Sequence, residues 1–156
     1  MRKKYLYSTF LLFLTITGVI IYFWKINTPS HVLNSSRVLI HIGDTEVNAE
    51  VVSSDEKRSR GLSGRDGLGK NQGMLFIFPN KDRYGFWMKE MKFPIDIVWI
   101  DTQYVVYIKE HAPIPIPGYE LPIYFPNQTA NLVLEVPAGY TREHGITIGT
   151  KVEISK

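Results

Sequence analysis

The chain opens on twenty residues without a charge, Tyr5 to Trp24, YLYSTFLLFLTITGVIIYFW. At helical rise they extend about 30 Å, the hydrocarbon thickness of a bilayer. Ser8, Thr9, Thr15 and Thr17 can return their hydroxyls to helix carbonyls. Tyr5, Tyr7, Tyr22 and Trp24 sit at the two ends, where amphipathic rings favour the membrane interface. Arg2, Lys3 and Lys4 precede this run and Lys25 alone follows it. The positive-inside bias then predicts a cytoplasmic N-terminus and a remainder carried across. A cleaved secretory signal competes with this reading, but its apolar part is shorter and ends at a small-residue site. The first alanine here is Ala49. The pattern therefore predicts a signal anchor over 1–25, and either reading puts the rest outside the cytoplasm. Residues 26–36, polar and irregular around Pro29, read as a linker.

From Arg37 the pattern changes to short runs with a period near two. RVLIHI, a Gly43-Asp44 turn and TEVNAEVV predict a β-hairpin. Ser53 and Glu56 form a capping box ahead of DEKRSR, and Gly61 supplies a stop, so a short helix is expected between them. Five further runs read as strands: GMLFIF, YGFWMK, IDIVWI, YVVYIKE and ANLVLEV. Val, Ile and aromatic residues dominate them, as a pleated surface prefers. Asp101-Thr102-Gln103 is short enough for a hairpin, and KVEIS closes the chain after Gly149. Strands separated by turns, with one or two short helices, predict a single all-β domain over 37–156, a sandwich or a partly closed barrel.

Charge and composition narrow the partners. The formal net charge is +3, but without Arg2, Lys3, Lys4 and Lys25 the balance is 14 basic against 15 acidic residues. The β domain therefore has no electrostatic footprint for nucleic acid. Cysteine is absent, which excludes disulfides, thiolate metal sites and cysteine nucleophiles. His31, His41, His111 and His144 lack the spacing of a metal site. No nucleophile elbow occurs, and GLSGRDG lacks the ending of a phosphate loop. No cofactor and no metal are implied.

Several motifs recur in a fixed order: Gly61-Leu62, Arg65, Gly73-Met74-Leu75-Phe76, Phe86-Trp87-Met88-Lys89, Pro94-Ile95-Asp96 and Leu134-Glu135-Val136-Pro137-Ala138-Gly139. Together with the closing GITIGTKV they cover nearly all of 45–155. In them the chain resembles the family catalogued as domain of unknown function 192. The resemblance implies a compact, mainly β, jelly-roll-like domain, often secreted or membrane-tethered, with no known activity. Family members often carry Asn or Gln after Phe-Trp-Met-Lys, where this chain has Glu90.

Four charged residues need an explanation. Lys89, Asp96 and Glu135 interrupt or adjoin apolar strands, where an unpaired charge is costly. With Arg65 they would form a polar pocket for an anionic or hydroxylated ligand, or two ion pairs that fix strand register. Asp96 also has the simpler option of pointing to solvent between Ile95 and Ile97. Trp87 and Trp99 could line a cleft or fill the core, and Met74, Met88 and Met91 read as packing. Ala112 to Pro126 holds five prolines and cannot be a central strand. It is expected as a stiff surface loop in which Tyr119, Tyr124 and Phe125 either form a recognition rim near Lys89 and Asp96 or pack against the barrel end.

Two functions follow. The first is a domain tethered to the membrane through residues 5–24, binding or scaffolding a cell-envelope ligand or protein. The second is an envelope hydrolase or lyase, with Asp96 or Glu135 as general base and Lys89 or Arg65 stabilising an anion. Convergence of Lys89, Asp96 and Glu135 in one cleft would favour the enzyme.

Overall fold

A computed structural model describes residues 36–155. The expected anchor and all but the last residue of the linker lie outside the described residues. Among the described residues no helix is long and apolar enough to cross a membrane.

The hairpin forms as its pattern predicts. Strand β1 (Arg37–Ile42) pairs antiparallel with β2 (Thr45–Val52), Ile42 opposite Thr45. Gly43 takes the left-handed φ of 58° that the tight turn requires. Helix α1 (Asp55–Arg60) follows, but its cap is Ser54 and not the expected Ser53. The Ser54 hydroxyl accepts from the Lys57 N–H at 3.4 Å, while the Ser53 carbonyl is taken by the Arg58 guanidinium. Acidic residues in the first turn and basic ones in the last suit the helix dipole. At Gly61 the chain turns with φ 50°, its N–H closing on the Lys57 carbonyl at 2.9 Å.

The chain then enters β3 (Gln72–Asp82), which lies parallel to β2. The expected strand YGFWMK is cut to β4 (Phe86–Trp87). Met88 and Met91 bury their side chains at a turn instead of extending the strand. Strands β5 (Ile95–Asp101) and β6 (Tyr104–Ala112) form the predicted hairpin. The Pro-rich segment is irregular except for β7 (Ile123–Tyr124). Then come β8 (Ala130–Pro137), the single-turn helix α2 (Tyr140–Glu143) and β9 (Val152–Ser155).

The domain is thus all-β with two short helices. Seven strands form one sheet in the order β6-β5-β8-β3-β2-β1-β9, and β4 and β7 form a separate two-stranded ribbon. The sheet is not split into two facing halves. It curls into a half-barrel, and its edges meet at one end through the Tyr104–Lys151 bridge and the Val152 N–H to Gln103 carbonyl bond of 2.8 Å. All seven strands bury side chains on the enclosed face, among them Ile40, Val47, Leu75, Val98, Val105, Leu134 and Val152. The outer face is also apolar over β3, β5 and β8, where Phe76, Ile97, Trp99 and Val133 lie beneath Phe86, Met88 and Leu62. Double burial explains why IDIVWI and ANLVLEV read as continuous apolar runs rather than alternating ones. Trp99 is fully buried and donates its indole N–H to the Tyr84 carbonyl at 2.9 Å, so it is core.

Candidate functional site

The register of β5 against β8 separates the two acidic residues that the sequence groups together. Asp96 lies opposite Val136 and Ile97 opposite Glu135. They occupy adjacent rungs, so their side chains leave opposite faces of the sheet. Asp96 does not point to solvent and, among the described residues, enters no ion pair. It is completely buried and accepts four hydrogen bonds. Its Oδ1 takes the N–H of His111 at 2.8 Å and of Gly139 at 3.0 Å. Its Oδ2 takes the N–H and the hydroxyl of Thr141, at 3.0 and 2.6 Å. Helix α2 has no side-chain cap of its own. Asp96 caps it from another strand and ties it to the end of β6.

Arg65 is also engaged elsewhere. Its guanidinium meets Glu50 through two contacts of 2.9 and 3.0 Å, a bidentate pair. That hydrogen bond, ahead of the cost of burial, holds the Glu50 carboxyl below the ordinary carboxylate range. Glu50 carries no local signal in the sequence beyond its alternation in β2. It faces Met74, and Met74 faces Glu135, so one row of the sheet holds both glutamates.

Glu135 has no such partner. It is 5 % exposed, and its Oε2 has no hydrogen-bond partner among the described residues. Burial pushes its carboxyl up to about 8, and the positive charge of Arg65 only partly opposes this.

The Glu135 carboxyl lies at a cleft of about 260 Å³ on the outer face of the sheet. One wall is the end of α1 and the turn after it, from Arg58 to Ser63. The other is Tyr84, Gly85, Phe86 and Trp87, and Phe76 shares the lining with Glu135. The turns that follow the two walls are fastened to each other. The Ser63 hydroxyl donates to the Lys89 carbonyl at 2.8 Å, and the Gly64 N–H to the Glu90 carbonyl at 3.0 Å. Arg58 is held by the Ile77 carbonyl at 2.9 Å, by the Ser53 carbonyl and by Asp55. It lies 5.0 Å from the centre of the Phe78 ring, which stacks on Tyr84 at 3.6 Å. The cleft therefore has preformed aromatic sides.

Of the expected cluster, only Glu135 lines this cleft. Asp96 is on the opposite face and Arg65 belongs to Glu50. Lys89 is exposed, with its ammonium 5.7 Å from the centre of the Trp87 ring and no carboxylate within ion-pair distance among the described residues. The two tryptophans part ways: Trp87 is 48 % exposed on the wall of the cleft, whereas Trp99 is core. Arg58, Arg60 and Tyr84 escaped sequence reasoning, because DEKRSR reads only as a polar helix and Tyr84 as a strand residue.

The Pro-rich loop splits as well. Its start, Ala112, pairs with Ile95 near Asp96, and its β7 pairs with β4. Tyr124 lies opposite Phe86 and Ile123 opposite Trp87. Tyr124 is half-buried, which raises its phenol above the ordinary value, and the Lys109 ammonium lies 5.1 Å from its ring centre. Phe125 packs against Gly85 so closely that a Cβ there would come within 2.5 Å of the ring. Tyr119 stays 76 % exposed. The loop thus backs the cleft wall with Tyr124 and Phe125 and leaves Tyr119 free of it.

Glu90 has a backbone explanation. Its φ of 57° is left-handed, a conformation that Asn and Gly adopt more readily than Glu. Glu90→Gly is expected to stabilise the domain by about 1 kcal/mol, read as a higher urea midpoint at unchanged slope. An unchanged or lower midpoint would show that the Glu90 side chain supplies more than the strain removes.

Comparison with other proteins agrees with this fold. No curated protein matches the chain. A solved structure from Novosphingobium aromaticivorans DSM 12444, a protein of unknown function, is 26% identical, with a TM-score of 0.71 over 79% of this chain and 89% of its own. Another, from Sinorhizobium meliloti 1021 and described as a proposed transcription regulator, also has a TM-score of 0.71. At 22% identity, over 77% of this chain and 95% of its own, it is a likeness of fold alone. The family DUF192, described as "Uncharacterized ACR", matches residues 38–154. With that span, and with the motifs that form β3, β4, β5 and β8 in place, the chain belongs to the DUF192 family.

Proposed function

We propose that this protein is a membrane-tethered binding domain of the cell envelope. Residues 5–24 act as an uncleaved anchor, and the half-barrel stands outside the cytoplasm with its cleft open to a small ligand. One observation carries the binding reading: a buried carboxyl, without a hydrogen-bond partner for one oxygen, lines a cleft with fixed aromatic sides. Such a group is costly to retain unless something binds it.

The hydrolase or lyase reading has less support. Asp96 has its oxygens committed to four donors on the far face, and Arg65 is locked to Glu50. Among the described residues, Glu135 is left without a nucleophile or an orienting partner.

The test is a metabolite and glycan thermal-shift screen on the full chain in detergent micelles, repeated with Glu135→Gln and Trp87→Ala. A ligand that raises the melting temperature of the parent by mass action, and of neither variant, is the expected result. Ligands that shift all three equally would place the binding elsewhere. Membrane fractionation tests the tether: the intact chain should resist alkaline extraction, and its recovery in the soluble fraction would refute the anchor.

A further inference from the structure

The cleft also carries information about the charge of what it binds. Arg58 already covers the Phe78 ring and is neutralised by Asp55, so the aromatic wall has its cation. That ring face is therefore closed to a second cation. Arg60 lines the same cleft, exposed, with no ion pair among the described residues. Lys89, outside the lining, stands by the Trp87 ring, exposed and next to the exposed Glu90. Arg60 therefore gives the lining an unpaired positive charge, and among the described residues the one carboxyl in that lining is the buried Glu135.

Glu135 lines the same cleft and is 5 % exposed, and its sealed Oε2 has no hydrogen-bond partner among the described residues. Burial keeps that carboxyl largely protonated at neutral pH, so it offers a hydrogen-bond donor rather than a negative charge. The half-exposed Trp87 and Ser59 also line the cleft. The flat indole suits a ring, and the polar groups suit hydroxyls. A volume of about 260 Å³ holds roughly nine waters, which is room for one substituted ring.

Resting on the binding reading above, we infer that the cleft takes a small hydroxylated acid, a single sugar-like ring with its carboxylate toward Arg60 and Lys89, its face on Trp87 and a hydroxyl accepting a hydrogen bond from Glu135. Guanidinium recognition of carboxylate supplies the charge selection. The aromatic face and the carboxyl supply the orientation.

Three probes that share a pyranose ring and differ in charge decide this: glucuronate, glucose and glucosamine, titrated calorimetrically into the full chain in nanodiscs at pH 6.5. Glucuronate should bind at least tenfold more tightly than glucose, with glucosamine weakest. The double variant Arg60→Gln, Lys89→Met should weaken glucuronate about tenfold and leave glucose unchanged. Both positions are exposed, so the variant folds as the parent does. Equal binding of glucuronate and glucose, or a preference for glucosamine, overturns the charge inference and leaves the binding domain standing. Binding of none of the three, with Glu135-dependent hits of another kind in the screen, overturns the ligand class. An absence of every Glu135-dependent hit overturns the binding reading itself.

Discussion

Glu135→Gln should make the domain more stable, by on the order of 3 kcal/mol at pH 7. The folded protein holds this carboxyl at about 8, against an ordinary value of 4.5. Between those two values the native state keeps a proton that the unfolded chain has released. Stability contributed by Glu135 therefore falls as pH rises from about 4.5 to about 8, and then levels off. At pH 7 the loss covers roughly 2.5 pH units at about 1.4 kcal/mol each. Glutamine keeps the shape and cannot ionise, so it escapes the loss. The positive charge of Arg65 acts on this carboxyl, and its bidentate pair with Glu50 is intact in the variant. Urea unfolding at pH 4, 7 and 9 gives the answer. The two proteins should agree within about 1 kcal/mol at pH 4 and diverge through pH 7, a rise in melting temperature of roughly 10 °C. Coincident curves at pH 7 would mean that Glu135 has a partner in solution.

A group that destabilises its own fold needs a reason to be there. Sites that bind or react are where proteins commonly carry such a burden, since optimising the site and optimising the fold pull apart. The same substitution is expected to remove ligand binding. A gain of stability with a loss of binding would be hard to produce by damage to the fold. Stability and binding both respond at Glu135, whereas at the exposed Lys89 only binding should respond.

Local pattern settles much of the architecture. The bounds of β1, β2 and α1 follow from alternation, a Gly-Asp turn and a helix stop, all within reach of a few neighbouring residues. β4 is the failure, and an instructive one. Phe86, Met88 and Met91 are buried as a strand would require, yet their burial comes from folding over the sheet face, not from lying within it. Apolar residues without a clear period do not distinguish the two. The candidate site was legible in its residues and not in their grouping. Asp96 and Glu135 both demand an explanation from sequence alone. Whether they meet depends on the β5–β8 register, set by residues nearly forty positions apart. A slip of one residue would place Asp96 opposite Glu135, on one face. In the same way nothing local joins Arg65 to Glu50, because the parallel pairing of β2 with β3 arises through the α1 crossover.

Asp96→Ala should be the most damaging single substitution in the domain, with a loss on the order of 4 kcal/mol or more. Three backbone N–H groups and one hydroxyl converge on this carboxylate, and it is wholly buried. Alanine leaves the donors without acceptors in a place water does not reach, and each buried orphan costs about 1–3 kcal/mol. Asparagine separates the two halves of the site. Its carbonyl can still receive His111 and Gly139, but its amide then turns two hydrogens toward the Thr141 N–H. The Thr141 hydroxyl can rotate to accept, whereas the backbone N–H cannot. Asp96→Asn should therefore fall between parent and alanine, at about 2 kcal/mol. Its loss should concentrate at α2, where faster amide exchange is expected at Thr141 than at His111. Lys89→Met, at an exposed turn after β4, should stay within about 0.5 kcal/mol of the parent. A domain held at its base by one carboxylate predicts that order; equal stabilities for the parent and the two Asp96 variants would show that the sheet closes without it.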